Sequence, residues 1–426
     1  MRRQTHWLCA ALILSFALTT TAQEYTSRRE VLQNEALRQD FLLQGEYLTD
    51  VFNIRVGIHL IADGGGKFRV VAYLGGLPGD GWNAGGLRML GTAVVSGNEI
   101  TFNMTESRGS SDDQYVPTPE AFEAKGTVII ERPQGEQGGG QENGQGAGQF
   151  RGVPVKIEIE AGDVAPDMLF EKQYRRSPTL GLEPPSGAVV LFNGTNLDWF
   201  PGAKMNEQQR GGNTLWAEAA SKPFEKRPYK MHLEFMLSYM PQARGQARSN
   251  SGVYLDERYE CQVLDSFGLE GENNECGGFY QLAKPLLNMC FPPLTWQTYD
   301  FEFTPAKYEG DKKAANARAT VKHNGILIYD GIELPNHTPG RKEEGPAPLG
   351  VYLQGHGNKV QYRNIWIQYQ DQKPAAQAAA KEAAPKTVTA EAAATDNEDS
   401  TVRRSDRRVQ PIFQRGALRR LKSVFL

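Results

Sequence analysis

Carboxylate and amide side chains recur at every second position of several short stretches whose alternate positions are apolar. In the stretch 250–265 a polar turn joins two predicted strands, and Glu260 and Gln262 share one face of the second strand. The stretches KMHLEFMLS and GVYLQGHG place Glu234, Gln354 and His356 on polar faces in the same way. A sheet face that met only water would carry more lysine and threonine. The pattern predicts one polar concavity of acids, amides, a histidine and aromatic rings, which is typical of a sugar-binding surface.

The elements that position these side chains are predicted to be β-strands. The chain has 426 residues with 45 glycines and 24 prolines, and it shows no convincing helical periodicity away from its ends. Its length favours two domains plus tails. We predict an all-β fold: an antiparallel β-sandwich or jelly roll over residues 188–370, preceded by a smaller antiparallel β domain over 45–176. The Pro- and Gly-rich stretch 177–187 marks the boundary between them.

The first domain is predicted to contain a series of short strands joined by turns rich in glycine. The predicted strands are 54–61, 67–74, 90–95, 99–104, 126–131, 153–160 and 168–173. A Gly/Gln-rich insert at 133–149 separates two of them and is predicted to be a disordered loop. The turn GGLPGDGW at 75–82 lacks a phosphate-binding pattern. We interpret it as a glycine-rich loop held by a buried Trp82.

Both ends of the chain differ in composition from its middle. Residues 1–22 combine two arginines, a short apolar run and small residues, which predicts a cleaved signal peptide and a secreted or periplasmic protein; an uncleaved anchor is the alternative. Residues 373–400 are an Ala/Glu/Lys-rich linker. The tail at 401–426 has eight Arg or Lys against one Asp and is predicted to be disordered. It could contact the cell envelope or an acidic polymer, or remain a solvated tail.

Three cysteines remain after the predicted cleavage: Cys261, Cys276 and Cys290. Because an oxidising compartment permits one pair, we predict a disulfide between Cys276 and Cys290 and a buried thiol at Cys261. Their spacing does not favour a zinc site. The net charge of -3 gives no whole-molecule electrostatic argument for nucleic-acid binding.

Five sequence blocks of the second domain resemble, in order, the 3-keto-disaccharide hydrolase domain family, formerly catalogued as a domain of unknown function. The blocks are LFNGTNLDWF (191–200), NSGVYLDERYECQVLDSFG (250–268), NECGG (274–278), WQTYDFEF (296–303) and LQGHGNKVQYRNIWI (353–367). The resemblance implies a concanavalin-like or laminin-G-like sandwich. It also implies cleavage of the glycosidic bond in 3-keto-disaccharides or 3-keto-glycosides. It does not extend to the first domain or the tail.

The implied chemistry explains why acids and a histidine are required. A ketone at C3 acidifies the proton at C2, so a positioned base can remove that proton and the C1 substituent can leave by elimination. Direct hydrolysis by a pair of carboxylates is the competing route. Either route needs a base tuned towards neutral pH and donors that stabilise the developing oxyanion.

The resemblance and the alternation together suggest roles for individual residues. Glu260 is the first choice for the base, although it could instead be paired with an arginine such as Arg363. His356 is the candidate acid or a ligand of a divalent metal ion, or else an exposed loop histidine. The substrate-binding candidates are Asn250, Gln262 and Gln354 for sugar hydroxyls, Arg363 for the ketone, and Trp296 and Tyr280 for stacking on a pyranose ring.

One position departs from the family pattern. The block LQGHG usually has Asp before the histidine, where this chain has Gly355. If that Asp orients the histidine or binds a cation, Asp265 or Glu234 would have to replace it, so Glu234 is a further catalytic candidate and Asp265 a further substrate-binding candidate. The departure favours a second hypothesis, a non-catalytic carbohydrate-binding protein of the cell envelope. A third hypothesis is an envelope-anchoring protein that acts through its basic tail.

Overall fold

The computed structural model describes residues 22–108, 115–131, 153–160, 167–207 and 212–370. The prediction of an all-β chain with antiparallel sheets is confirmed. The predicted signal peptide except its last residue, the insert 133–149, the linker 373–400 and the tail 401–426 lie outside these residues. Within the described ranges no helix is long and apolar enough to span a membrane.

The first part of the chain forms a closed antiparallel barrel that two short helices precede. The helices are α1 (Arg28–Gln33) and α2 (Glu35–Leu43), and the strands are β1 (Gly45–Val51), β2 (Ile54–Gly64), β3 (Lys67–Leu74), β4 (Leu77–Pro78), β5 (Gly81–Trp82), β6 (Arg88–Ser96), β7 (Glu99–Arg108), β8 (Val116–Ile130), β9 (Val155–Ile159) and β10 (Met168–Gln173). Among the described strands, the barrel order is β1-β10-β9-β8-β7-β6-β3-β2. Closure removes the exposed sheet edges that an open sheet would present.

Side chains fill the barrel, because the inward residues of its strands form one hydrophobic core with α1 and α2. Ser27 and Glu30 form a capping box at the start of α1. Lys172 donates hydrogen bonds to the carbonyl oxygens of Leu42 and Gln44 at the end of α2. The end of α2 is therefore fixed to β10 of the barrel.

The second part of the chain is a sandwich of two antiparallel sheets. Its strands are β11 (Val189–Phe192), β12 (Met205–Asn206), β13 (Thr214–Trp216), β14 (Ala219–Ala220), β15 (Tyr229–Met236), β16 (Ser251–Leu255), β17 (Tyr259–Val263), β18 (Trp296–Thr304), β19 (Lys307–Glu309), β20 (Lys312–Ala315), β21 (Ala317–His323), β22 (Ile326–Leu334), β23 (Tyr352–Leu353) and β24 (Gln361–Tyr369). A 3₁₀ turn spans Gly245–Ala247. The large sheet has the order β12-β13-β24-β15-β18-β21-β22, with β11 beside β24, and the small sheet has the order β14-β23-β16-β17.

One hydrophobic core joins the two sheets of the sandwich. Leu233 and Phe235 of β15 belong to the same buried cluster as Val253 of β16 and Cys261 of β17. Each sheet has one face in this core, so the polar face of each sheet must point away from the other sheet. This consequence decides which predicted site residues can meet.

The glycine-rich turn 75–82 packs where the barrel meets the sandwich. Trp82 is buried, its Nε1 donates to the carbonyl oxygen of Leu87 at 3.2 Å, and its ring lies against Tyr73. A side chain at Gly79 would collide with Met289 of the sandwich. The turn is therefore an interdomain contact held by a buried tryptophan.

The predicted disulfide is not present. Cys261, Cys276 and Cys290 are buried free thiols in the core of the sandwich. The Cys276 sulfur lies 3.2 Å from the Tyr299 hydroxyl, and the Cys290 sulfur faces the carbonyl oxygens of Leu264 and Phe291 at 3.5 Å. A disulfide requires a specific separation and orientation of the two Cβ atoms, which spacing along the sequence does not reveal.

Candidate functional site

The outer face of the small sheet carries a row of side chains that crosses its strands. Tyr352 on β23 is directly opposite Tyr254 on β16, and Tyr254 is directly opposite Glu260 on β17. Beyond β17, the backbone N–H of Tyr280 donates to the carbonyl oxygen of Glu260 at 3.1 Å. Adjacent strands lie about 4.8 Å apart, so the row places three phenols and one carboxylate side by side.

Two residues along the strands, a second row has a glycine at its centre. Gly252 on β16 lies between Gln262 on β17 and Gln354, whose backbone N–H donates to the Gly252 carbonyl oxygen at 2.8 Å. A Cβ atom at Gly252 would collide with the carboxylate of Glu260. Glycine is required here because the Glu260 side chain extends over the backbone of β16.

Glu260 has one carboxylate oxygen that accepts a hydrogen bond and one that accepts none from the described residues. Its side chain is about 2% exposed. Oε2 accepts a hydrogen bond from the Tyr254 hydroxyl at 2.7 Å, whereas Oε1 has no partner among the residues that the structure describes. Burial raises the pKa of Glu260 to about 7, although the Tyr254 hydrogen bond acts in the opposite direction. A carboxyl group of this kind can take up or release a proton near neutral pH.

The amide of Gln262 is fixed with its oxygen free. Its Nε2 donates to Gln246 Oε1 and to Asn250 Oδ1, each at 3.1 Å, and Asn250 Nδ2 in turn donates to the Gln246 backbone oxygen. Gln262 Oε1 is buried and has no hydrogen-bond partner in the described part of the chain. Two buried acceptors on β17 therefore lack donors, and leaving such atoms unpaired costs about 1–3 kcal/mol each.

A loop from the far end of β22 closes over one side of this site. Thr338 Oγ1 accepts from the backbone N–H of Glu260 at 2.8 Å, and the Tyr254 hydroxyl lies 2.8 Å from the carbonyl oxygen of Pro339. Gln354 Nε2 donates to the same hydroxyl at 3.3 Å. Sequence reasoning missed Tyr254, Thr338 and Gln246. The alternation in β16 contained a signal for Tyr254, but the sequence gave no signal that the loop bearing Thr338 lies beside β17.

The structure does not bring His356 into this arrangement. His356 is exposed in the loop after β23 and makes no hydrogen bond or ion pair with the described residues. A side chain at Gly355 would collide with Glu218, which packs against that glycine. The space that an Asp at this position would need is therefore already filled.

Glu234, Arg363 and Trp296 lie on the opposite surface of the sandwich, which corrects the expectation of a single concavity. Glu234 accepts from Arg363 at 2.7 Å and from the backbone N–H of Gly181 at 2.6 Å. The Arg363 guanidinium lies 4.0 Å from the centre of the Trp296 ring. Because β15 contributes its apolar face to the shared core, its acids must point outward from the large sheet. Arg363, which we considered as a partner of Glu260, pairs with Glu234 instead.

Asp265 is also outside the site. It forms an ion pair with Arg248 at 2.6 Å, and both side chains are almost inaccessible. The guanidinium of Arg248 also donates towards the carbonyl oxygen of Ala62 in the barrel. Asp265 therefore belongs to the contact between the barrel and the sandwich.

The residues present do not form a metal-binding cluster. No group of three or more His, Cys, Asp or Glu side chains in the described part of the chain is placed to hold a metal ion. His356, which was considered as a metal ligand, is exposed, and Asp265 and Glu234 pair with arginines instead.

The comparison with protein families matches the sandwich alone. Residues 187–368 match the model described as the 3-keto-alpha-glucoside-1,2-lyase-like domain. The match extends from just before β11 into β24 and leaves out the barrel. None of the curated proteins matches the chain.

Several solved structures are similar to part of the chain. Two are proteins of Parabacteroides distasonis provisionally named glycosyl hydrolases. The first is 24% identical to this chain with a TM-score of 0.39, and the alignment covers 43% of this chain and 84% of that protein. The second is 16% identical with a TM-score of 0.28, and the alignment covers 43% of this chain and 95% of that protein. Trypanosoma rangeli sialidase is 8% identical with a TM-score of 0.25 and covers 74% and 64%. At these TM-scores the similarity supports no argument about this chain.

The family match contains every residue of the two rows, and it agrees with the predicted resemblance. The sandwich over residues 187–368 is accordingly the part of the chain that is similar to the 3-keto-alpha-glucoside-1,2-lyase-like domain family.

Proposed function

We propose that the outer face of the small sheet cleaves the glycosidic bond of 3-keto-glycosides, with Glu260 as the base. The observation that carries the proposal is a pair of buried acceptors next to Gly252, Glu260 Oε1 and Gln262 Oε1, that have no hydrogen-bond partner among the described residues. Sugar hydroxyl groups are donors that would satisfy such acceptors. Tyr280 is half-buried beside Glu260 and offers a ring for a pyranose face.

The proposed reaction is an elimination across C1 and C2. Glu260 Oε1 takes the C2 proton, the C2–H electron pair becomes the C1–C2 double bond, and the C1–O bond breaks with its electrons going to the leaving oxygen. A proton from the solvent or from Glu260 completes the released hydroxyl group. Later addition of water across the double bond would give the net hydrolysis product. A base with a pKa near 7 suits the proton transfer, because it is partly ionised at neutral pH.

Elimination fits the arrangement better than direct hydrolysis. Hydrolysis by glycosidases normally uses two carboxylates about 5–9.5 Å apart. The outward positions of β16 and β17 are Gly252, Tyr254, Glu260 and Gln262, so these two paired strands present a single carboxylate there. One tuned base is sufficient for removal of an acidic C2 proton.

Replacement of the base tests the proposal. Glu260→Gln keeps the shape and removes the proton acceptor, so turnover of a 3-keto-disaccharide should fall by at least about 100-fold. The release of the leaving sugar can be measured by chromatography, with circular dichroism to confirm folding. Turnover at the wild-type rate in folded Glu260→Gln would exclude Glu260 as the base.

A non-catalytic carbohydrate-binding function is the second candidate. The exposed position of His356 favours it, because the histidine considered as the acid has no contact with the site. Titration calorimetry with intact glycosides and their 3-keto derivatives separates the two functions. Binding of both classes without turnover would support the binding protein and reject the enzyme.

We also propose that the protein works outside the cytoplasm, on the support of the apolar segment within residues 1–22. Amino-terminal sequencing of the mature protein from the extracellular or periplasmic fraction should show cleavage close to Ala22. The envelope contact proposed for the tail predicts that deletion of 401–426 moves the protein from the envelope to the soluble fraction. An unchanged distribution would reject that contact.

A further inference from the structure

The Tyr254 hydroxyl has more acceptors around it than it has protons. Its oxygen lies 2.7 Å from Glu260 Oε2 and 2.8 Å from the carbonyl oxygen of Pro339. Gln354 Nε2 donates to the same oxygen at 3.3 Å. A phenol supplies one proton and accepts up to two, so it cannot donate to Glu260 and Pro339 together.

Two hydrogen-bond arrangements satisfy this geometry. When Glu260 is protonated on Oε2, it donates to Tyr254, and Tyr254 donates to Pro339. When Glu260 is ionised, Tyr254 turns its proton to Oε2, and the Pro339 carbonyl loses that donor. In both arrangements Gln354 donates to the phenol oxygen. The position of one phenol proton is thus linked to the charge of Glu260.

The competing acceptor is held in place independently of Tyr254. The backbone N–H of Thr338 donates to the carbonyl oxygen of Arg258 at 2.8 Å, and Thr338 Oγ1 accepts from Glu260 N–H. Gly340 has a φ of +95°, and a Cβ atom there would lie 2.8 Å from the Tyr254 hydroxyl. The loop therefore approaches the phenol closely because it has a glycine at this position.

We propose that Tyr254 is a positioning residue for Glu260. Its hydroxyl group donates to the Pro339 carbonyl while Glu260 is protonated and turns to donate to Glu260 Oε2 when Glu260 ionises. In the ionised state it occupies Oε2, which leaves Oε1 over Gly252 as the basic atom. The titratable groups on the neighbouring elements include Tyr254 on β16, Tyr352 on β23, Tyr280 beyond β17, and His337, Arg341, Lys342, Glu343 and Glu344 on the loop. Of these, Tyr254 has a hydrogen bond to the carboxylate. The catalytic meaning of this switch rests on the proposed function.

Titration of Glu260 tests the switch without any substrate. We expect Tyr254→Phe to raise the titration midpoint of Glu260 by about one pH unit, since a hydrogen bond stabilises a carboxylate more than a neutral acid. The midpoint is read by NMR of ¹³C-labelled glutamate, with Glu260→Gln to assign the signal. Tyr352→Phe is the matched control, because its phenol has no contact with the carboxylate, and it should leave the midpoint unchanged.

The pH profile separates positioning from a merely structural role. In Tyr254→Phe, kcat/KM for a 3-keto-disaccharide should fall about tenfold on the acid side and stay near the wild-type value on the alkaline plateau. An equal loss at every pH, or an unmoved midpoint, would overturn the proposal. If the NMR midpoint rises while wild-type protein turns over no 3-keto-glycoside, the proposed function fails and the hydrogen-bond switch stands.

A second variant moves the competing acceptor instead. Gly340→Ala would push Pro339 away from the phenol, so Tyr254 would donate to Glu260 without competition and the midpoint should fall. Gly345→Ala is its control in the same loop, where a Cβ would meet only Arg258 at 3.6 Å. This variant decides the question if Tyr254→Phe does not fold, and an unchanged midpoint in folded Gly340→Ala would contradict the switch.

Discussion

Two glutamates of the sandwich show how environment separates residues of the same type. Burial without a charged partner raises the pKa of Glu260 to about 7. Burial by itself would also raise the pKa of Glu234, but the nearby His232 and Arg363 side chains outweigh it and lower that pKa to about 2. Glu260 can therefore exchange a proton near neutral pH, whereas Glu234 remains ionised. At the scale of the residue, these properties favour a catalytic role for Glu260 and a stabilising role for Glu234.

The raised pKa of Glu260 makes stability depend on pH. The folded state holds the proton more tightly than the unfolded state, so the contribution of Glu260 to stability falls as the pH rises from about 4.5 to 7. Glu260→Gln removes this dependence. Its free energy of unfolding, relative to that of the wild type, should therefore rise by up to about 3 kcal/mol between pH 4 and pH 8. Urea unfolding of both proteins across that range measures the difference. A constant difference would show that Glu260 titrates alike in the folded and unfolded states.

At the scale of the element, the segment between barrel and sandwich is fixed to the outer face of the large sheet. Gly181 donates its backbone N–H to Glu234, and the Thr179 hydroxyl donates to Asp300 at 2.7 Å. Asn364 Nδ2 and Trp366 Nε1 donate to the carbonyl oxygen of Leu182 at 3.0 Å and 3.3 Å. The polar residues of this face thus anchor a connection, which explains why they are not available to a ligand.

Glu234→Gln tests this structural role. The lowered pKa means that the stabilisation by the Glu234 charge is complete above about pH 4.5 and is lost as the pH falls towards 2. The variant should lose about 3 kcal/mol at pH 7 and almost nothing at pH 2, while kcat/KM of the folded protein changes less than about twofold. Thermal unfolding and the 3-keto-disaccharide assay measure both effects. A large loss of kcat without a loss of stability would show instead that Glu234 acts in catalysis.

At the scale of the whole molecule, buried arginines join the barrel to the sandwich. Arg88 of β6 donates to the carbonyl oxygen of Gly268 at 2.7 Å and pairs with Glu270, and its side chain is about 3% exposed. His59 of the barrel is buried between Glu46 and Tyr73 and stacks on Phe267 of the sandwich. These contacts hold the segment 267–270 of the sandwich against the barrel.

Arg88→Met should weaken this junction by about 3 kcal/mol, because it leaves Gly268 without its donor and removes a buried partner of Glu270. Arg108→Met is a matched control: Arg108 also pairs with Glu270, at 3.0 Å, but its side chain is more exposed. It should cost about 1 kcal/mol or less. Urea denaturation compares the two variants, and equal losses would argue that burial of Arg88 adds nothing to the junction.

Local alternation was sufficient to find most strands. The predicted strands 67–74 and 168–173 coincide with β3 and β10, because each alternates clearly between turn signals. β1 was not predicted as a strand, since GEYLTDV alternates poorly, yet it pairs with both β2 and β10 and closes the barrel. Closure depends on partners more than 100 residues apart, which no local pattern encodes.

The sequence alone determined which residues of each strand are polar, and hence that Glu260 and Gln262 share one face. It also showed the family resemblance with which the match over residues 187–368 agrees. Only the tertiary structure decided that Glu234 and Arg363 face the opposite side, that His356 stays exposed, and that a distant loop brings Pro339 to Tyr254. The physical reason is that alternation specifies two faces of a strand, whereas the packing of two sheets on one core decides where each polar face points.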